Sequence, residues 1–207
     1  MRTTFTFILL VMFLAACESN GLKDRAGQIA SQPVVFTPAG VAVRAESGVE
    51  VSIQAKAAID EGIAHTIEKG KCQGYTKGLN RSGYAVAFLK GQPDSAGYPA
   101  LPVACGDYCG TYWDKGGYIL VAGQVSTVGG VQTIILPEHR DNFENLARVS
   151  DYEAEHIMLR LNDPDEYERT KVHGSGQGHP IIPECNHRSY YDPETDAEPV
   201  RRTTFPK

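Results

Sequence analysis

The residues of this chain best suited to chemistry stand together at positions 152–156, in the order Tyr-Glu-Ala-Glu-His. They resemble the pattern His-Glu-x-x-His, in which two histidines four residues apart share one helix face and reach one zinc ion. The glutamate of that pattern acts as general base on the attacking water. The spacing therefore predicts Glu153 as a catalytic residue and His156 as a metal ligand, with Tyr152 in place of the first ligand.

A glycine-rich stretch downstream contains two further candidate ligands, His173 and His179. Glycine lets a backbone approach a ligand closely, so either histidine could complete a metal site. Tyrosine is a poor ligand unless a metal lowers its pKa from near 10. Three outcomes stay open: weak coordination by Tyr152, a site built from His156, His173 and His179, or a scaffold without a working site.

Each of these residues also has a plain structural interpretation. Ser150 and Glu153 are spaced as a capping box, which would place Glu153 at the start of a helix. His156 could be a hydrogen-bonded histidine of the core. Glu155 and His65 have the spacing of ordinary solvent-facing helix residues, and His139 has no evident partner.

The N-terminus has the pattern of an export signal. Arg2 precedes an apolar run from Phe5 to Ala16, about a dozen residues, which is too short to span a membrane as a helix. The run ends in Leu-Ala-Ala-Cys, which resembles the lipobox of bacterial lipoproteins. That resemblance implies cleavage before Cys17, lipid on its thiol, and anchoring in a lipid bilayer. By analogy with enteric sorting, Glu18 favours the outer membrane, facing the periplasm.

Four cysteines remain in the mature chain, and an even number in an exported protein indicates disulfides. The pairing stays open among Cys72, Cys105, Cys109 and Cys185. A zinc site built from these cysteines is the weaker alternative, because no Cys-x-x-Cys spacing is present.

Composition narrows the class of protein. The net charge is −5 and the lysines and arginines are scattered, which argues against nucleic acid as a partner. The length predicts a signal peptide over 1–16, a lipidated cysteine and polar tether over 17–46, one domain over 47–186, and a polar tail over 187–207.

Apolar spacing predicts the elements that position the candidate residues. A helix is expected over about 48–69, begun by a capping box at Ser47 and ended at Gly70. Strands are expected at 84–89, 118–122 and 131–136, the last at a sheet edge because Pro137 follows it. A loop is expected between the first two strands. A second long helix, over about 141–161, carries residues 152–156.

The order of a long helix, strands, an edge strand and a motif helix resembles the zincin metallopeptidases. The chain also resembles small bacterial lipoproteins in which His-Glu-x-x-His is followed by a histidine-containing loop and a cysteine, as His179-Pro180 and Cys185 stand here. The resemblance covers about 48–185. It implies an α+β fold with one zincin-like domain, comprising a long N-terminal helix, a small mixed sheet with an edge strand, the motif helix and a Gly/His-rich loop.

Two functions from different classes follow. The first is a zinc-dependent peptidase of the cell envelope, acting on a peptide or protein. The second is a non-catalytic envelope lipoprotein that binds a protein or glycan partner. The missing first histidine favours the second, and the presence of Glu153 and the loop histidines favours the first.

Overall fold

The computed structural model describes residues 21–79, 83–104, 118–170 and residue 182. In chain order its helices and strands are α1 (Gly21–Gln28), a 3₁₀ turn (Ile29–Ser31), β1 (Val35–Phe36), β2 (Ala42–Ala45), α2 (Ile53–Cys72), β3 (Tyr84–Leu89), β4 (Gln92–Pro93), β5 (Pro99–Ala104), β6 (Tyr118–Val121), β7 (Gln124–Val128), β8 (Val131–Pro137), α3 (Phe143–Asn162) and α4 (Pro164–Thr170). The mixed α+β class expected from the sequence is confirmed.

The main sheet has five strands in the order β1-β2-β3-β8-β7. Strands β2, β3 and β8 run parallel, and β1 and β7 pair antiparallel with their neighbours. A separate antiparallel sheet contains β4, β5 and β6. Strand β8 lies between β3 and β7, so the prediction that Pro137 marks an edge strand is wrong. Pro137 is the last residue of β8, where the strand can end without losing an internal ladder hydrogen bond.

Both faces of the main sheet are covered, which explains why β3 is buried along its whole length. Tyr84, Val86 and Phe88 belong to the core beneath α2 and α3. The alternate residues Ala87 and Leu89 belong to a second core with α1 and β5. Successive side chains of a strand point to opposite faces, so a strand between two layers is apolar throughout.

Helices α2 and α3 pack against each other on one face of the sheet and confirm the two predicted long helices. The start of α2 differs from the prediction, because Ser52 rather than Ser47 caps this helix by accepting from the Ala55 N–H at 3.0 Å. The two helices approach closely at Gly62, where an added Cβ would lie 2.1 Å from the Ala147 carbonyl oxygen. The predicted C-cap glycine, Gly70, lies inside the last turn of α2 instead, against Met158.

The folded part of the chain includes residues predicted to form a tether. Helix α1 buries Leu22 and Ala26 in the second core, and β1 and β2 belong to the main sheet. The tether prediction for 17–46 is therefore wrong over residues 21–45. Short polar segments of this kind carry too few apolar residues to reveal their packing partners, which are distant in sequence.

The strand prediction was incomplete. Strands β3, β6 and β8 were expected, whereas β5 occupies part of the predicted loop and β7 was not predicted at all. Strands β7 and β8 form a hairpin through Gly129 and Gly130, both with positive φ, as a two-residue primed turn requires. The signal peptide, Cys17, the cysteines at 105, 109 and 185, the loop histidines and the tail lie outside the described residues.

Candidate active site

The middle of α3 is buried on every side, although five of the six residues from Asp151 to His156 are polar. Helix α2 packs along one side of α3, while β7, β8 and α4 contact other parts of it. The helical repeat divides these residues between two surfaces. Asp151 and Glu155, four apart, face α2. Tyr152 and His156, also four apart, lie on another surface.

Glu153 is buried next to the start of β7. Glu153 is 5% exposed. A Cβ on Gly123 would lie 2.9 Å from the Oε1 atom of Glu153 and 3.0 Å from its Cγ atom. A side chain at position 123 would therefore require this carboxyl group to shift. Burial raises the pKa of Glu153 to about 8, and no described residue donates a hydrogen bond that would lower it.

The capping-box interpretation of Glu153 is wrong. Helix α3 begins at Phe143, and its N-cap is Asn142, whose side chain accepts from the Asn145 N–H at 3.1 Å. Ser150 and Glu153 therefore lie two turns inside the helix, where backbone N–H groups already have helical partners. The Ser150 hydroxyl is buried close to Gly62. Glu153 therefore does not cap the helix.

Tyr152 and His156 form a pair of rings on the neighbouring surface of α3. Their centroids are 4.9 Å apart and their planes stand at 88°, an edge-to-face contact. Tyr167 of α4 also makes an edge-to-face contact with His156, with ring centroids 6.2 Å apart. The imidazole of His156 thus contacts two aromatic rings and lies three residues along the helix from Glu153.

A second group of polar side chains, which we call the interhelix cluster, joins α2 to α3. It contains the residues His65, Thr66, Lys69, Asp151 and Glu155. The Lys69 ammonium donates to Asp151 Oδ2 at 2.7 Å and also to Glu155 Oε1. His65 Nδ1 lies 2.9 Å from Asp151 Oδ2, and the Thr66 hydroxyl donates to Asp151 Oδ1 at 2.6 Å.

The cluster corrects two predictions from the sequence. Glu155 was expected to face solvent but is fully buried. His65 was expected to be an ordinary surface histidine but is paired with the buried carboxylate of Asp151. Burial opposes charge on Lys69, but its two carboxylate neighbours outweigh that effect and raise its pKa. Burial raises the pKa of Glu155 to about 7 even though Lys69 acts to lower it.

The sequence contains a signal for this cluster in the spacing of its charged residues. His65 and Lys69 are four apart on α2, and Asp151 and Glu155 are four apart on α3. Such spacing places each pair on one face of its helix. Opposite charges on two long helices that pack together are candidates for an interhelix ion pair, but only the structure shows that the two faces meet.

Two other predicted residues have defined positions. His139 is buried, and its Nδ1 atom lies 2.9 Å from the Pro137 carbonyl oxygen, so it has a partner that the sequence did not suggest. Burial lowers the pKa of His139. Cys72, at the end of α2, is disulfide-bonded. Every other cysteine lies outside the described residues, so the pairing stays a prediction.

The described residues do not by themselves form a metal site. His156 offers one imidazole, and Glu153 and Tyr152 lie on adjoining positions of the same helix. Within residues 21–79, 83–104, 118–170 and 182, no group of three or more histidine, cysteine, aspartate or glutamate side chains could hold a metal ion. A zinc site at His156 therefore fits only with further ligands, for which the sequence offers His173 and His179.

Comparisons of this chain with protein-family models, with curated proteins and with solved structures found no match. Among the helices of the described residues, none combines the length and apolar character needed to cross a membrane.

Proposed function

We propose that this chain is a lipid-anchored protein of the bacterial cell envelope whose α+β domain is a zincin-like, zinc-dependent peptidase. In this proposal His156 is a metal ligand, and His173 or His179 completes the site. Glu153 takes a proton from the attacking water. The single observation that carries the proposal is the placement of Glu153. Its carboxyl group is buried against Gly123, has no hydrogen-bond donor among the described residues, and has its pKa raised to about 8.

The environment of Glu153 suits proton transfer near neutral pH. A carboxyl group with a pKa of about 8 is mostly protonated at pH 7 and can donate a proton. A cation bound nearby would lower that pKa and allow the same group to accept a proton from water. Zinc at His156 would supply Lewis-acid polarisation of the scissile carbonyl group. Groups whose pKa is shifted by burial are candidates for catalysis for this reason.

The position of β7 supports a peptide substrate. This strand pairs with β8 on one side, and among the described residues no strand pairs with its other side. An unpaired strand edge can bind an extended peptide through backbone hydrogen bonds. Because Gly123 directly precedes β7 and contacts Glu153, a peptide bound along this edge would pass close to the carboxyl group.

Metal analysis and a peptidase assay test the proposal. The chain from residue 18, purified without lipid, should bind one zinc ion and cleave unstructured peptides. His156→Ala should lose the metal, whereas His65→Ala, which alters a histidine paired with Asp151, should retain it. Glu153→Gln should retain zinc but lose at least about a hundredfold in kcat. Absence of stoichiometric zinc from the wild-type protein, with no cleavage of any peptide, would refute the peptidase.

The second candidate is a non-catalytic envelope lipoprotein that binds a protein or glycan partner. The observation in its favour is Tyr152, which packs edge-on against His156 at the position where the motif has a histidine. Under this alternative Glu153→Gln and His156→Ala have no effect on any hydrolysis, and Tyr152→His creates zinc affinity that the wild-type protein lacks. Stoichiometric zinc binding by the wild-type protein that is lost in His156→Ala would exclude it.

The lipid anchor is proposed from the sequence alone, because Cys17 lies outside the described residues. Cys17→Ser should abolish incorporation of labelled fatty acid and move the protein from the membrane to the soluble fraction. A stable envelope anchor requires at least two acyl chains, so loss of the thiol should release the protein completely. Unchanged fractionation with Cys17→Ser would contradict the lipoprotein assignment. It would not bear on the proposed peptidase activity of the domain.

A further inference from the structure

Residue 182 lies far from α3 in sequence but directly against it in the fold. The Ile182 N–H donates to Glu155 Oε2 at 2.9 Å, and the Ile182 side chain is fully buried in the core beneath α2 and α3. The other oxygen of the same carboxylate accepts from Lys69. Glu155 therefore has one oxygen committed to α2 and one to the main chain at residue 182.

The two carboxylates of the interhelix cluster have different sets of donors. Asp151 accepts from Lys69 and Thr66 and is paired with His65. Glu155 accepts from Lys69 and from the Ile182 N–H. A buried carboxylate is costly unless its oxygens are hydrogen-bonded, so the Ile182 N–H is a required partner of Glu155. The requirement is mutual, because a hydrogen bond to an ionised group is stronger than one between neutral groups.

We propose that Glu155 is a positioning residue that anchors the main chain at Ile182 to α3, one residue from His156. Its significance for catalysis rests on the peptidase proposed above. The stretch 171–181, which contains His173 and His179, joins α4 to Ile182 in the sequence. Anchoring at Ile182 places the residue that follows this stretch next to the helix that carries Glu153 and His156. Lys69 holds the carboxylate in place for this purpose.

The test is hydrogen exchange of the Ile182 amide in the full mature chain, measured by NMR relative to the Ile135 amide of β8. Glutamine has one acceptor oxygen, whereas Glu155 uses both of its oxygens. In Glu155→Gln the Lys69 ammonium and the Ile182 N–H must share that oxygen, so Ile182 exchange should accelerate on the order of ten- to a hundredfold. Ile135 exchange, which reports opening of the central sheet, should change much less.

Two further variants separate anchoring from general stability. Asp151→Asn alters the same cluster and the same lysine but not the bond to Ile182, so Ile182 exchange relative to Ile135 should stay at the wild-type value. The double variant Lys69→Met with Glu155→Gln removes the competing ammonium and leaves the glutamine oxygen free for Ile182. It should restore most of the protection, and it also covers the case in which Glu155→Gln alone does not fold.

The outcomes are decisive in both directions. Ile182 exchange that is unchanged in Glu155→Gln, or accelerated equally in Asp151→Asn, would overturn the anchoring role. Accelerated exchange with recovery in the double variant would support it. Zinc titration of the same samples with a chromophoric chelator tests the catalytic part separately. A wild-type protein that binds no zinc but shows the expected exchange pattern would refute the peptidase and retain the anchor.

Discussion

Replacement of Glu153 by glutamine should change how the stability of the fold depends on pH. Burial raises the pKa of Glu153 from 4.5 to about 8. Between these values the folded chain holds a proton that the unfolded chain releases. Because the folded state then binds more protons, the free energy of unfolding falls as pH rises through this window and levels off above pH 8. Glutamine keeps the shape of the protonated side chain and cannot ionise, so this loss should be absent from the variant.

The size of the effect follows from the pKa difference between the folded and unfolded chain. One unit of pKa corresponds to about 1.4 kcal/mol, so the full difference corresponds to roughly 5 kcal/mol. This is an upper estimate, because local rearrangement that admits water would reduce the cost of ionising Glu153. A domain of this kind is stable by only about 5–15 kcal/mol, so even half of the effect is easily measured.

Urea unfolding followed by circular dichroism, at pH values from 5 to 9 and with EDTA present, measures the effect directly. The stability of Glu153→Gln relative to wild type should increase by several kcal/mol between pH 5 and pH 9. Glu155 also has a raised pKa, but it titrates in both proteins and cancels in the difference. Glu144→Gln, at an exposed position of the same helix, is the matched control and should show no such trend. A pH-independent difference between wild type and Glu153→Gln would refute the reasoning.

Three further perturbations test other parts of the structure. Lys69→Met leaves two buried carboxylates without their shared ammonium and should reduce the free energy of unfolding by about 3–5 kcal/mol. The double variant Lys69→Met with Glu155→Gln should recover most of this loss. Gly62→Ala should force α2 and α3 apart and cost on the order of 3 kcal/mol in chemical unfolding, whereas Gly27→Ala, where an added Cβ has open space, should be neutral or slightly stabilising. Tyr152→His supplies the missing imidazole one turn from His156 and should tighten zinc binding at least tenfold in a chelator competition; unchanged affinity would argue against a metal on this surface.

The two long helices and three of the strands could be predicted from the sequence because their signals are local. Helix α3 was expected over 141–161 and spans Phe143–Asn162, since its apolar residues recur at helical spacing. Strand β3 was expected from an apolar run between glycines and spans Tyr84–Leu89. The position of a strand within the sheet is not local information. Pro137 suggested an edge, but β8 lies inside the sheet, because besides its hairpin partner β7 it also pairs with β3, which is distant in the chain.

The candidate site divides in the same way. The sequence alone placed Glu153 and His156 three residues apart on one helix. The helical repeat brings residues at this spacing to the same side of the helix. It could not show that Gly123 packs against Glu153, because the two residues are brought together only when the end of the sheet meets α3. The raised pKa of Glu153 is a consequence of that burial and has no counterpart in the sequence.

By itself the sequence determined the types and the spacing of the reactive residues, and the periodicity that makes α2 and α3 helices. The tertiary structure decided which of these residues are buried and which of them meet. Glu155 shows the reason. Its helical position was clear, but its pairing with Lys69 and Ile182 depends on the packing of α3 against α2 and against residue 182. Backbone periodicity is set by neighbours within a turn, whereas burial and charge pairing are set by residues that are distant in the chain.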